Sequence, residues 1–218
     1  MTIQLRQIDD QNRIDHHFIQ PNDECYYLFE YTARQGYGFS ATNSLISNLK
    51  KKPSQRNQLH YVYKGRAINE CAAALGPAIN PRWFTGGALV PMPPSKIRTD
   101  AEYDDRVAQI CRALRSAVAI DVRELLLQTA NLRAAHESDQ RPSVQEIKDV
   151  LAIDESVCNP EPTRIGIVDD VLTAGAHFRA AKEVLNNRFP AAHIVGFFIA
   201  RRVFANPFEA DDFSIFGK

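Results

Sequence analysis

The chain has 218 residues, 44% of them hydrophobic and 24% charged, enough to bury one good-sized core, and it reads as a single domain with a small appended lobe. Lysine plus arginine and aspartate plus glutamate both number 26, so no bulk electrostatic reason exists to expect nucleic acid or an anionic membrane as partner. No apolar run approaches bilayer-spanning length, and the four cysteines, Cys25, Cys71, Cys111 and Cys158, form no Cys-x-x-Cys pair; a soluble cytoplasmic protein with reduced thiols and no locally spaced zinc site is expected.

After a polar start, in which His16-His17 reads as a surface dipeptide, residues 26–31 have strand composition and residues 35–43 are rich in turn formers. Gly36-Tyr37-Gly38-Phe39-Ser40-Ala41 matches the spacing of a dinucleotide turn, but no strand abuts Gly36 and no ribose-binding acid follows on a second strand. A loop over a ligand pocket, with Tyr37 or Phe39 stacking on a base, is the better reading. Ser44 is expected to cap a short helix ending near Lys52-Pro53, which closes an N-terminal lobe or hood of residues 1–53; residues 54–218 form the core.

Ile68, Cys71, Ala72 and Leu75 recur at i, i+3, i+4, i+7, as do Val107, Ile110, Cys111 and Leu114. That spacing predicts two amphipathic helices flanking the apolar strand Ala88-Leu89-Val90. Residues 118–122 read as a second core strand, Ser143-Val144-Gln145-Glu146 as a capping box opening a helix, and residues 165–168 as a third strand. Phe178, Ala181 and Leu185 share the inner face of the next helix, which Phe189-Pro190 stops, and the apolar run 194–200 suits a strand buried on both faces. Strands alternating with helices predict an α/β fold, a doubly wound and mainly parallel sheet with its site at the strands' C-terminal edge. Phe204, Phe208, Phe213 and Phe216 suggest a tail that covers the sheet edge or docks a partner.

The chemistry concentrates where the third strand ends in Asp169-Asp170 and passes through Val171-Leu172-Thr173-Ala174-Gly175-Ala176-His177 into a helix. A turn with a permissive Gly175 before a helix N-terminus leaves free N–H groups suited to a phosphate dianion. Carboxylates beside that anion suit hydroxyl donors instead, so a ribose 5-phosphate offers both partners: its phosphate for the turn, its 2- and 3-hydroxyls for Asp169 and Asp170.

This stretch closely resembles the phosphoribosyl pyrophosphate (PRPP) motif of the type I phosphoribosyltransferases, in the order found in their orotate branch. Ala176 and His177 stand where members place a Thr or Ser, and a protonated His177 would replace the lost hydrogen bond with a charged one. A longer resemblance, from about Leu45 to Ala200, is to the competence-associated ComF-type branch. It rests on Leu45-Ile46-Ser47-Asn48-Leu49-Lys50, then Leu89-Val90-Pro91-Met92-Pro93-Pro94-Ser95-Lys96, then the PRPP motif. The zinc-binding cysteine cluster of that branch is absent, and Tyr103-Asp104-Asp105-Arg106-Val107 replaces its Arg-Gly-Phe-Asn-Gln signature.

The resemblance implies transfer of ribosyl 5-phosphate from PRPP to a nitrogen acceptor of unknown identity, with Mg²⁺ bound through PRPP rather than by a protein metal cluster. It implies that Asp169 and Asp170 act in catalysis, that residues 171–177 hold the 5-phosphate, and that Pro94, Ser95 and Lys96, with Arg98 beside them, meet the pyrophosphate. It places a mobile catalytic loop at residues 128–141, where His136 and Arg141 are the candidates to close over the ligand. Asp105-Arg106 reads first as a helix-face ion pair. A PRPP-sensing regulator without chemistry and a ComF-like role in DNA uptake are the alternatives, and a homodimer is compatible with the chain.

Overall fold

The computed structural model describes residues 3–132 and 142–205. In chain order its elements are β1 (Arg6–Gln7), β2 (Cys25–Ala33), α1 (Ala41–Leu49), α2 (Val62–Ala78), β3 (Gly87–Pro91), α3 (Arg106–Ala113), β4 (Asp121–Val122), β5 (Leu126–Gln128), α4 (Val144–Asp149), β6 (Leu151–Ile153), β7 (Arg164–Leu172), α5 (Ala176–Arg188) and β8 (His193–Phe204). A six-stranded sheet runs β1-β2-β8-β7-β3-β4, parallel throughout except for β1, while β5 and β6 form a separate antiparallel pair. The fold is therefore α/β with a mostly parallel sheet.

Alternation along the strands sorts the core into two layers. Leu89, Val168 and Phe197 pack with the apolar stripes of α1, α2 and α3, whereas Val90, Ile167 and Phe198 pack with Phe178, Ala181 and Leu185 of α5. The stripes read at 68–75 and 107–114 thus face the sheet. Ser143 forms the expected capping box with Glu146.

Other expectations need correction. Ser40, not Ser44, caps α1, accepting from the Asn43 amide at 3.0 Å. Asn43 meanwhile binds the Thr32 amide and carbonyl, which ties the helix start to β2 and fixes the register one turn earlier. The expected core strand at 118–122 shrinks to the two residues of β4 at the sheet's edge, with Val118 41% exposed. β2, from the segment expected as a separate lobe, pairs with β8 along most of its length in the main sheet. His16 is not a surface residue: it is fully buried. All four thiols are free and buried, and burial pushes Cys71 and Cys111 up to about 12. Among the described residues no helix is long and apolar enough to cross a membrane. Phe208, Phe213 and Phe216 lie outside the described residues.

From β3 the chain proceeds through α3 to β4 on one side, and from β7 through α5 to β8 on the other. The direction of winding reverses between β3 and β7. In an open α/β sheet a crevice forms outside the strand ends at that point. β3 and β7 pair there in register, Val90 with Ile167 and Pro91 with Val168, and the Met92 amide donates to the Val168 carbonyl at 2.8 Å.

Candidate functional site

The crevice is a cleft of about 250 Å³ lined by Asp169, Asp170, Thr173 and His177 from the β7–α5 junction, Pro93–Ser95 from the β3 exit, and Lys50, Asp104 and Arg106 from the helical layer. Elements far apart in the chain meet here because the sheet places their ends side by side. β7 does not end at the two acids; it continues through Leu172, so Asp169 and Asp170 are strand residues and alternate between the faces.

Alternation makes them inequivalent. Asp170, 4% exposed, receives Arg106 Nε at 2.8 Å and Nη2 at 2.6 Å on one oxygen, with Lys50 Nζ 3.3 Å from the other. Burial opposes its charge, but Lys50 and Arg106 outweigh burial and hold its carboxyl well below the usual carboxylate range. Asp169 has no ion-pair partner among the described residues; one of its oxygens accepts the Asp170 amide at 2.7 Å. Its own burial and then the neighbouring Asp170 charge push it up to about 7. The site therefore pairs a carboxylate held in its charged form by two cations with one whose burial and charged neighbour favour the protonated form.

Arg106 is not in the expected helix-face pair with Asp105. Asp105 instead accepts from Gln109 at 2.5 Å and lies 3.5 Å from Arg112, while Arg106 turns inward to Asp104, at 2.6 Å, and to Asp170. Because Asp105 is the N-cap position of α3, Arg106 is its first helical residue and projects into the cleft rather than along the helix flank. Asp104 also receives Lys64 at 2.8 Å.

On the opposite side, α5 opens at Gly175, whose φ of 93° is the left-handed region that glycine alone enters at little cost. The amides that begin this helix have no acceptor within it, as the proposed phosphate turn requires. Gly175 is also approached closely by protein: a Cβ there would lie 2.8 Å from Ile19 Cδ1. Ile19 belongs to a strap from the N-terminal segment that grips the turn from behind. His16 Nδ1 donates to the Thr173 carbonyl, the Phe18 amide donates to the Ala174 carbonyl at 3.0 Å, and the Arg179 guanidinium returns from α5 to the Phe18 carbonyl at 3.2 Å. These bonds occupy the Thr173, Ala174 and Phe18 carbonyls. Burial is the main cause that lowers the His16 pKa, with Arg201 and Arg202 adding to it, so the imidazole is a neutral donor.

Of the predicted phosphate residues, Val171, Thr173 and His177 line the cleft, Leu172 and Ala174 are buried, and Gly175 and Ala176 start α5. Burial, with the Lys50 charge beside it, lowers the His177 pKa despite Asp170. Pro94 and Ser95 line the cleft as predicted, and the Ser95 carbonyl accepts the Leu132 amide at 2.9 Å. Lys96 is not among the lining residues, and Arg98 turns away to Glu124 at 2.9 Å. His136 and Arg141 lie outside the described residues. Among the described residues, the cations that line the cleft are Lys50 and Arg106; Lys50 was legible only as part of a helix motif.

A second cavity, of about 260 Å³, lies behind the same proline turn, between Tyr103, Leu126 and Glu124. Its acids are engaged elsewhere: Glu124 by Arg98 and Arg112, Asp154 by the Ser156 amide and hydroxyl. Its third acid, Asp105 at the start of α3, is held by Gln109 and Arg112, so no unpaired carboxylate lines it and the first cleft is the candidate site. Comparison with known proteins adds nothing to it: no family model matches the chain, and no curated protein matches it.

Proposed function

We propose that the cleft binds Mg-PRPP and transfers its ribosyl 5-phosphate to a nitrogen acceptor, releasing pyrophosphate. The observation that carries this reading is the meeting, at the sheet's reversal point, of a helix N-terminus, a carboxylate without an ion-pair partner among the described residues, and two cations at one cavity. The α5 amides and Thr173 hold the 5-phosphate. Lys50 and Arg106, rather than Lys96, face the pyrophosphate. Asp169 accepts from the ribose hydroxyls and sets negative charge beside the ring.

In the transfer the bond from C1 to the pyrophosphate oxygen breaks and its electron pair leaves with the pyrophosphate. C1 becomes cationic, the acceptor nitrogen forms the new bond, and its proton passes to solvent. Charge on Asp169 stabilises the cationic stage more than the ground state, which is what accelerates the step. Among the described residues no cluster of three or more His, Cys, Asp or Glu is placed to hold a metal. Mg²⁺ would enter this site with the pyrophosphate, Asp169 would be the carboxylate available to it, and it would supply charge neutralisation of the leaving group.

The test is isothermal titration of Mg-PRPP across pH, with pyrophosphate release followed in a screen of bases and amines. Affinity and release should rise with pH through about 7 as Asp169 ionises. Asp169→Asn should remove that rise, whereas His177→Asn should keep it. A flat profile in the unaltered protein contradicts the role given to Asp169. The second reading, a PRPP sensor, is favoured by the ion pairing of Asp170 with Lys50 and Arg106, which engages that carboxylate with cations instead of the sugar. Tight binding without pyrophosphate from any acceptor assigns that role instead.

A further inference from the structure

Lys64 sits on the apolar stripe of α2, four residues before Ile68, and is only 4% exposed. A lysine at such a position needs an acceptor for each of its donors. It has three: the Leu49 carbonyl at 2.6 Å, the Lys51 carbonyl at 2.9 Å and Asp104 Oδ2 at 2.8 Å. With all three N–H groups engaged and a carboxylate among the acceptors, the ammonium form is the one that fits, although burial lowers its pKa.

The identity of those acceptors matters. The two carbonyls flank Lys50, so they fix the stretch of backbone from which Lys50 reaches Asp170. Asp104 in turn holds Arg106 Nη1 at 2.6 Å, and Arg106 reaches Asp170 with its other two nitrogens. Both cations lining the cleft therefore depend on one ammonium, Lys50 through its own main chain and Arg106 through a shared carboxylate oxygen. α1 and α3 are joined at this point, by charge as well as by packing through α2.

We propose that Lys64 is a positioning residue that sets Lys50 and Arg106 as a pair for the pyrophosphate end of the ligand and has no part in holding the ribose 5-phosphate end. This rests on the transferase-type reading of the cleft. It predicts a selective defect, because the α5 turn is held by a different set of bonds, from His16, Phe18 and Arg179, none of which involves Lys64.

The experiment compares Lys64→Met, which keeps a straight chain of similar length but donates nothing, with the unaltered protein. Inorganic pyrophosphate with Mg²⁺ and ribose 5-phosphate are titrated separately by calorimetry. Pyrophosphate affinity should fall by about 30-fold, as the loss of charge-assisted bonds implies, with ribose 5-phosphate within about 3-fold. The effect should vanish in a Lys50→Met, Arg106→Gln background, where there is no pair left to position. Equal losses for both ligands, or no loss of pyrophosphate affinity, overturn the proposal. If Lys64→Met does not fold, Asp104→Asn tests the Arg106 arm by the same two titrations and the same selectivity decides. Failure of the unaltered protein to bind either ligand removes the reading of the cleft itself, and the proposal with it.

Discussion

Asp170→Ala should cost about 3 kcal/mol of stability, at the low end of the range for breaking a buried ion pair, because Arg106 and Lys50 keep some contact with water. The substitution leaves two neighbouring cations without their common counter-charge. Urea denaturation reads the loss, and Asp170→Asn, which still accepts one hydrogen bond, should lose less. The ligand effects should differ: pyrophosphate gains affinity from the unopposed cations, while ribose 5-phosphate gains nothing. A uniform fall in both would show that the variant disrupts the cleft rather than its charge balance.

The same pair predicts a distinctive dependence of stability on pH. Asp170's carboxyl is lowered on folding, so its contribution is present above the ordinary carboxylate range of about 4 and is lost as pH falls below it. Asp169 works the other way. Its folded form keeps the proton up to about 7, so stability declines as pH rises from about 4 toward 7. Asp170→Ala should remove the acid-side loss, and Asp169→Asn should flatten the decline toward neutrality.

Gly175→Ala is the second large effect. A side chain at φ 93° costs about 1–2 kcal/mol in backbone strain. The new Cβ would also lie 2.8 Å from Ile19 Cδ1 and 2.9 Å from its Cγ1, overpacking worth a further 1–3 kcal/mol or so. Trimming the neighbour relieves the second part and leaves the first. In a thermodynamic cycle with Ile19→Ala, the double variant should be more stable than the two single losses predict, by about 1–2 kcal/mol. Strict additivity would mean that the strap yields freely and does not brace the turn.

What the sequence disclosed, and what it did not, follows from the range of the interactions. The apolar stripes of α2 and α3, the Ser143 capping box, the buried run of β8 and the glycine before α5 are local patterns, set by neighbours within a turn or two. Thr173, Ser95 and the two acids were legible for the same reason, since each motif lies on one strand exit. Arg106 and Asp170 are 64 residues apart in the chain, and only the pairing of β3 with β7 brings α3 over the acids. Adjacent carboxylates looked alike on paper, but alternation along β7 gave one of them two cations and the other none.

His16 shows the same limit from the other side. As a dipeptide with His17 it has surface composition, yet its Nδ1 bond to the Thr173 carbonyl spans 157 residues and requires β2 to stand beside β8. Lys64 was the one missed residue with a readable signal. A lysine in register with Ile68, Cys71 and Leu75 must bring acceptors with it, and that requirement points to a polar centre inside an apolar face.

The central claim is that the amides opening α5 clasp a sugar phosphate while the acids of β7 face its ring. Backbone chemical-shift mapping with ribose 5-phosphate tests it most directly. The account predicts saturable shifts concentrated at residues 169–177, absent with unphosphorylated ribose at the same concentration. Shifts confined to the second cavity around residues 126–129, or none at the β7–α5 junction, would contradict it.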